Sequence, residues 1–396
     1  MGSSTSVTAN GCAAVANPRN ARSATSCPET PPTTRNLAIP HSMQKNSEPS
    51  LSLPVVDRSA AQTAGDTTVS VVIVNWNGGE WIDGCLRSLQ AQDYAGPIEI
   101  IVVDNASTDG SPARILETFS GIRMIRNRRN RGFAAAQNQG LRMATGRYCL
   151  PLNFDIVLTP SFLSEMVAAI GEDPAIGIVS GKLLRLDSRT ASERIIDSTG
   201  IVMPYHFPVA RGQEETDRGQ YDTPCEVFGA CGAAPLYRRE MLDDIAIRGE
   251  FFDETFVTYV EDVDLSWRAQ LRGWRCRYTP RAVAFHLRGA TRRENPREQE
   301  VYYRIGYRNR YLMLVKNLLP GTIRAHWRLI LWRELAFIEL CLRRHPPLLI
   351  FRAILGALLR LPIALWKRYL IMRRVAVERE RIERFFFEVG DPFGGG

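Results

Sequence analysis

The sequence predicts an α/β fold on a mostly parallel, doubly wound sheet, with a helical extension at the C-terminal end. Three observations carry that prediction. Apolar, β-branched runs at Val69–Val74, Ile98–Val103 and Tyr148–Leu152 lack the polar alternation of half-exposed strands, as expected of strands buried on both faces. Segments of helical spacing separate them, and strand, helix, strand within about 35 residues is a right-handed βαβ unit. From about Val301, long apolar runs punctuated by arginine replace this alternation.

The elements follow in order. After the first strand, Trp81, Ile82, Cys85, Leu86 and Leu89 share one face of a helix over Glu80–Gln90. Helices over Ser111–Phe119 and Phe133–Ala144 flank a short strand at Ile122–Ile125. Thr159-Pro160 is an N-cap followed by proline in the first turn, opening a helix at Ser161–Ile170. Beyond Ile178–Leu184 the pattern fades as far as Gly232, and the polar run Arg211–Asp222 reads as a variable loop. Pattern returns as an amphipathic helix over Leu265–Gly273, ended by that glycine, and a strand at Arg277–His286.

The 396 residues suit one large α/β domain with appendages, or two domains. With 45% hydrophobic and 23% charged residues, the composition excludes collagenous, wholly disordered and disulfide-stapled classes. The eight cysteines form no C-x-x-C pair or zinc motif, as expected of a reduced cytosolic setting. No basic segment followed by an apolar core opens the sequence, so no signal peptide is expected. Residues 1–66, rich in Ser, Thr, Ala, Asn and Pro, read as a disordered tail. The α/β domain is expected over 67–290, a basic amphipathic helical region over 291–384 and a flexible tail over 385–396.

The net charge of +8 is unevenly spread. Residues 67–287 sum to −5 and residues 288–384 to +14, so the positive charge marks one stretch and gives no support to a nucleic-acid partner. Within that stretch, Leu348–Trp366 is 19 residues long, near the length of a membrane span, but Arg352, Arg360 and Pro362 interrupt it. Each arginine at a bilayer centre costs about 2.5–3.5 kcal/mol, which favours helices lying in the membrane interface over 301–384. The competing reading is that these helices pack on the α/β domain or join two copies of the chain in a homo-oligomer.

In doubly wound sheets ligands sit beyond the carboxyl ends of the strands. Those ends read Asn75-Trp-Asn77, Asp104-Asn-Ala-Ser107 and Asn153-Phe-Asp155. Each alone is ordinary turn or capping chemistry; together they gather polar groups on one edge. The second acidic cluster is Glu261-Asp262-x-Asp264. It suits a helix N-terminus, yet such crowding also perturbs a carboxylate toward acting as a base. His286 is either a structural histidine or part of a site. Neither a G-x-G-x-x-G after the first strand nor a P-loop is present.

Taken in order, Val69-Ser-Val-Val-Ile-Val-Asn-Trp-Asn77, Ile101-Val-Val-Asp-Asn-Ala-Ser-Thr-Asp-Gly-Ser111, Asn130-Arg-Gly-Phe133 with Asn138, Leu152-Asn-Phe-Asp155, and Phe252-Asp-Glu254 with Glu261-Asp-Val-Asp-Leu265 resemble the successive motifs of inverting family 2 glycosyltransferases of the GT-A fold. Within that family they look most like the bacterial rhamnosyltransferase-type group, which builds surface polysaccharide or lipid-linked glycans. The resemblance covers about residues 68–290. It implies a Rossmann-like nucleotide-diphospho-sugar transferase fold. Asn75 and Asp104 would hold base and ribose, with Asn130, Arg131, Gly132 and Asn153 lining the donor pocket. Asp155, with His286, would hold Mg²⁺ or Mn²⁺ at the donor diphosphate. Asp262 would take the proton of the acceptor hydroxyl, supported on the acceptor side by Glu261 and Asp264. The chain departs from the group at Phe154, where proline is usual, and lacks the Q-x-x-R-W motif of processive synthases.

The implied enzyme is a metal-dependent, inverting hexosyltransferase. It would move a sugar such as rhamnose from a nucleotide-sugar donor to a lipid-linked or polysaccharide acceptor in cell-envelope biosynthesis, from the cytoplasmic face of the membrane. A sugar nucleotidyltransferase, or a catalytically inactive membrane-associated scaffold of the same fold, are the alternatives. The first normally carries a Gly-rich, Lys-bearing loop after the first strand, and Asn75-Trp-Asn-Gly-Gly79 has no such lysine.

Overall fold

The structure is a computed structural model that describes residues 67–186, 194–287 and 296–387, with side chains from Gln299 onward in the last stretch. The tail expected over 1–66 lies outside the described residues, as do residues 388–396.

The α/β half begins β1 (Val69–Asn75), α1 (Trp81–Gln90), β2 (Ile98–Asp104), α2 (Ser111–Thr118), β3 (Arg123–Arg126), α3 (Phe133–Met143) and β4 (Tyr148–Asn153). β1 pairs in parallel with both β2 and β4, and β2 with β3. The register sets Asn75 beside Asp104, and Val74 beside Asn153. Three polar strand ends therefore meet on one edge because the apolar runs are in register. Val69–Asn75, Ile101–Asp104 and Tyr148–Leu152 are buried, as strands covered on both faces are, whereas Ile98, Glu99 and Ile100 are only partly covered.

Next come β5 (Ile156–Leu158), α4 (Phe162–Gly171), β6 (Ile176–Arg185), β7 (Ile196–Ser198), β8 (Ile201–Val202), β9 (Val209–Ala210), β10 (Cys225–Val227), β11 (Leu236–Arg238), α5 (Arg239–Ile245), α6 (Glu261–Leu271) and β12 (Arg275–His286). The large sheet runs β10-β12-β6-β11-β4-β1-β2-β3, with β5 on β12 and β7 on β6. β11 is antiparallel to both its neighbours, whereas β6 and β12 are parallel. The expected variable loop is thus partly a set of two- and three-residue strands, too short for a periodic signal. Lys182, nearly inaccessible on β6, pins its polar run through Asp217 and Asp222.

The chain continues as α7 (Pro296–Asn317), α8 (Pro320–Arg344), α9 (Pro347–Leu358), α10 (Leu361–Met372) and α11 (Arg379–Phe387). The limit expected at residue 290 does not divide two cores. Leu312, Met313, Ala364, Ile371 and Phe386 share one apolar cluster with Ile201, Phe228, Val263 and Trp267. This also corrects the amphipathic reading of the helix at 265–273: every residue of α6 is buried, because the later helices cover its outer face. The apolar run 348–366 breaks into α9 and α10, bent by 54°. Pro362 lies in the first turn of α10, where a missing N–H costs least. Among the described residues no single helix is long and apolar enough to cross a membrane, although the bent pair has that length and composition together. α11 also extends order to Phe387, into the stretch expected to be a tail from 385.

Candidate active site

At the ends of β1 and β2, Asn75 is fully buried. Its Nδ2 donates toward Asp104 Oδ1 (3.2 Å), Ser107 Oγ (3.1 Å) and Ser111 Oγ (2.9 Å), and its Oδ1 accepts from the Gly78 N–H (3.2 Å). A Cβ at Gly78 would lie 2.5 Å from that oxygen, so the Asn75-Trp-Asn-Gly turn needs glycine there. Asn75 is saturated by these bonds and shapes the turn around Asp104.

Asn105, which the sequence reading did not single out, organises the next loop. Its Nδ2 donates to Asn130 Oδ1 (2.8 Å), and its Oδ1 accepts from the Arg131 N–H (3.0 Å) and Asn127 Nδ2 (3.1 Å). Asn130 Oδ1 in turn accepts from the Gly132 N–H (2.8 Å). The Asn130-Arg-Gly132 segment is thereby held beside the end of β2. Gly132 has φ +83°, and a Cβ there would meet Val257 Cγ1 at 2.6 Å and its carbonyl oxygen at 2.9 Å. Its position after Asp104 in an Asn-rich pattern was the signal available for Asn105.

Asn153 ends β4 and its N–H donates to the Ala233 carbonyl (2.9 Å). Phe154, which stands where proline is usual, is buried in the core beneath α1 and leaves Asp155 to begin the next turn. Antiparallel pairing of β5 with β12 sets His286 opposite Ile156, so Asp155 and His286, 131 positions apart in the chain, become neighbours. His286 Nε2 faces Asp155 Oδ1 at 3.5 Å, and its Nδ1 lies 2.8 Å from Asp197 Oδ2. Burial alone would lower the imidazole, but the Asp197 and Asp155 carboxylates outweigh it and raise it to about 10.

An oxygen and an imidazole nitrogen facing each other, with a carboxylate behind the imidazole, suit a divalent cation. Among the described residues no group of three or more His, Cys, Asp or Glu could hold a metal by itself. A cation here would therefore take its remaining ligands from a substrate or water. Asp197 has no signal in the sequence; only the pairing of β7 with β6 brings it near.

Asp262 lies in the first turn of α6. Its Oδ2 accepts from the Gly232 N–H (2.7 Å) and its Oδ1 from the Val263 N–H (2.8 Å). Burial raises its carboxyl above the ordinary range despite those donors. Glu261 beside it is pushed well above that range by burial and by Asp262, and its buried Oε2 has no hydrogen-bond partner among the described residues. The segment Gly232-Ala233 links the two acidic clusters, since Gly232 binds Asp262 and Ala233 binds Asn153.

Asp264 corrects the expectation. It is wholly buried and bound by Arg268 (3.0 Å), Lys316 (2.7 Å) and Asn317 (2.7 Å). Two residues along a helix from Asp262 it points to another face, so it anchors α6 to α7 and does not serve the acceptor side. Arg268, Lys316 and Asn317 joined no predicted site.

The fold and this edge define an α/β domain with a polar, acidic rim at the carboxyl ends of its strands. Residues 70–246 match the family model described as "Glycosyl transferase family 2". The chain is 27% identical over 212 residues to an N-acetylglucosaminyltransferase of Azorhizobium caulinodans, covering 50% of this chain and 49% of that protein. To the poly-beta-1,6-N-acetyl-D-glucosamine synthase of Staphylococcus aureus it is 25% identical over 223 residues, covering 55% and 50%. The chain thus spans about half the length of these curated relatives. A crystal structure of GalNAc-T7 with UDP, GalNAc and Mn²⁺ is similar with a TM-score of 0.48 and 15% identity, covering 64% of this chain and 48% of that one.

Proposed function

We propose that the chain is an inverting glycosyltransferase, moving a hexosyl group from a nucleoside-diphosphate sugar to an acceptor hydroxyl. The observation that carries this reading is one sheet edge that gathers Asp104, the Asp155–His286 pair and a buried Asp262 whose carboxyl is raised. Asp104, in the turn shaped by Asn75, and the Asn130–Gly132 loop receive the nucleotide end of the donor. Asp155 and His286 would hold Mg²⁺ or Mn²⁺, which when bound supplies positive charge to the departing diphosphate. Asp262 accepts the acceptor hydroxyl's proton as that oxygen attacks the anomeric carbon from the face opposite the leaving group. A raised carboxyl is a stronger base than an ordinary aspartate, and burial and Asp262 push the neighbouring Glu261 toward its neutral form.

For the sugar, the sequence motifs point to a rhamnosyl donor, whereas the named relatives favour N-acetylglucosamine. A donor panel including dTDP-rhamnose and UDP-N-acetylglucosamine, assayed by mass spectrometry with Mg²⁺ or Mn²⁺ and a membrane lipid extract, tests the function and chooses the donor. If no donor is turned over and Asp262→Asn alters nothing, the reading is lost; pyrophosphate release would favour nucleotidyl transfer.

We further propose that the enzyme works on a membrane surface at its cytoplasmic face, on a lipid-linked or polysaccharide acceptor. Trp327, Leu331, Trp332 and Leu335 of α8, and Leu348, Phe351 and Leu358 of α9, each leave more than two-fifths of their surface exposed. Arg324, Arg328, Arg352 and Arg360 stand among them, and such a mixture suits the interface of an anionic bilayer.

A further inference from the structure

The loop leading into Glu261-Asp262 is strained. Val257, Tyr259 and Val260 have φ of 68°, 67° and 70°, a region that β-branched and aromatic residues rarely adopt and that persists only where the surroundings impose it. Asn309 of α7 supplies that restraint. Fully buried, its Nδ2 lies 2.8 Å from the carbonyl oxygens of Phe256 and Thr258 and 2.9 Å from that of Tyr259. Its Oδ1 accepts from Arg308, whose guanidinium also donates to the Phe256 carbonyl (3.0 Å).

Two turns further along α7, Lys316 is 1% exposed. Its Nζ binds Asp253, before the loop, and Asp264 (2.7 Å), after it. One helix thus grips the loop at its carbonyls and at both flanking carboxylates. The opposite side of the loop touches the donor segment, since Ala134 N–H donates to the Val257 carbonyl (3.1 Å) and Gly132 packs on Val257.

We infer that Asn309 and Lys316 are positioning residues, which hold the strained loop and the first turn of α6 so that Asp262 meets the acceptor hydroxyl. The inference rests on the assignment of Asp262 as the acceptor-activating base. It makes a C-terminal helix part of the catalytic apparatus.

The test uses the full chain carrying Asn309→Ala, Lys316→Met or the charge-balanced pair Lys316→Met with Asp264→Asn, the last retaining the fold if removing Lys316 alone from the buried cluster unfolds the single variant. Calorimetric titration with Mn²⁺ and UDP or dTDP counts the folded, donor-competent sites, and transfer is expressed per such site. A displacement near 1 Å at a reacting group costs about 100-fold, so turnover per site is expected to fall about 10- to 100-fold with nucleotide affinity within about threefold of the parent. Parental turnover per site in Asn309→Ala or in the charge-balanced pair overturns the inference, and so does a parallel loss of nucleotide affinity. If Asp262→Asn transfers sugar as well as the parent does, the base assignment has failed and this inference falls with it; loss in Asp262→Asn alone sinks only the inference.

Discussion

At the residue scale, burial and hydrogen bonding divide the acidic motif into different tasks. Asp262 accepts only backbone N–H groups and keeps a raised carboxyl, while Asp264, two positions on, is neutralised by Arg268 and Lys316. Asp262→Asn is expected to lower turnover by at least about 100-fold with nucleotide affinity nearly unchanged, measured by steady-state kinetics beside calorimetry. Asp155→Ala should instead abolish the metal dependence of nucleotide binding, read by titrating UDP or dTDP with and without Mn²⁺. Gly132→Ala meets two penalties at once, a positive φ and the Val257 carbonyl at 2.9 Å. A loss of about 1–3 kcal/mol in unfolding free energy is expected from urea titration. The strand-end polar residues were legible because polar groups interrupting buried runs stand out. Asp197 and Asn309 were not, since an isolated Asn or Asp carries no periodic signal, and Asn105 was marked only by its place after Asp104.

At the scale of elements, the joint between α6, α7 and α10 is a buried charge cluster. Lys367 of α10 binds Asp253 (2.6 Å) and Glu250 (2.9 Å), and Lys316 adds Asp253 and Asp264. Burial opposes charge on Asp253, but Lys316 and Lys367 overcome it and hold the carboxyl far below its usual range. A depressed carboxylate contributes stability above its unfolded value, about 3.9, and loses it as pH falls below that. Lys367 is raised, by Asp253 and Glu250 against the effect of burial, so its contribution is complete below the unfolded lysine value of about 10.4 and fades at higher pH. The urea midpoint is therefore expected to drop in acid below about pH 4, and less steeply in Asp253→Asn. Lys316→Met, which strips one partner from a buried pair, should cost about 3–5 kcal/mol. The helix of α6 was legible from apolar spacing, and α7 and α10 only as parts of a helical region over 291–384. That the charged residues between point inward was not, because spacing reports which residues share a face and does not report what covers it.

At the scale of the whole molecule, the +14 of residues 288–384 serves two purposes. Lys316, Lys367 and Arg310 are buried and spent on internal carboxylates, Arg310 on Glu334. The arginines of α8 and α9 remain beside exposed tryptophan and leucine. Flotation with anionic vesicles is expected to carry the protein upward at low salt and less at high salt. Replacing Trp327, Trp332 and Phe351 by Glu should reduce that binding at least tenfold, since each loses about 1.5–3 kcal/mol of apolar burial, with turnover of a soluble acceptor unchanged. The sequence by itself determined the α/β class, the parallel strands and the polar edge, because strand burial and βαβ connection leave local, repeating marks. Only the tertiary structure decided that Asp197 stands behind the His286 expected beside Asp155, that Asp264 faces α7, and that the basic helices complete one core with the α/β half. Those are contacts between segments dozens to well over a hundred residues apart, set by strand register and by which helix face is covered.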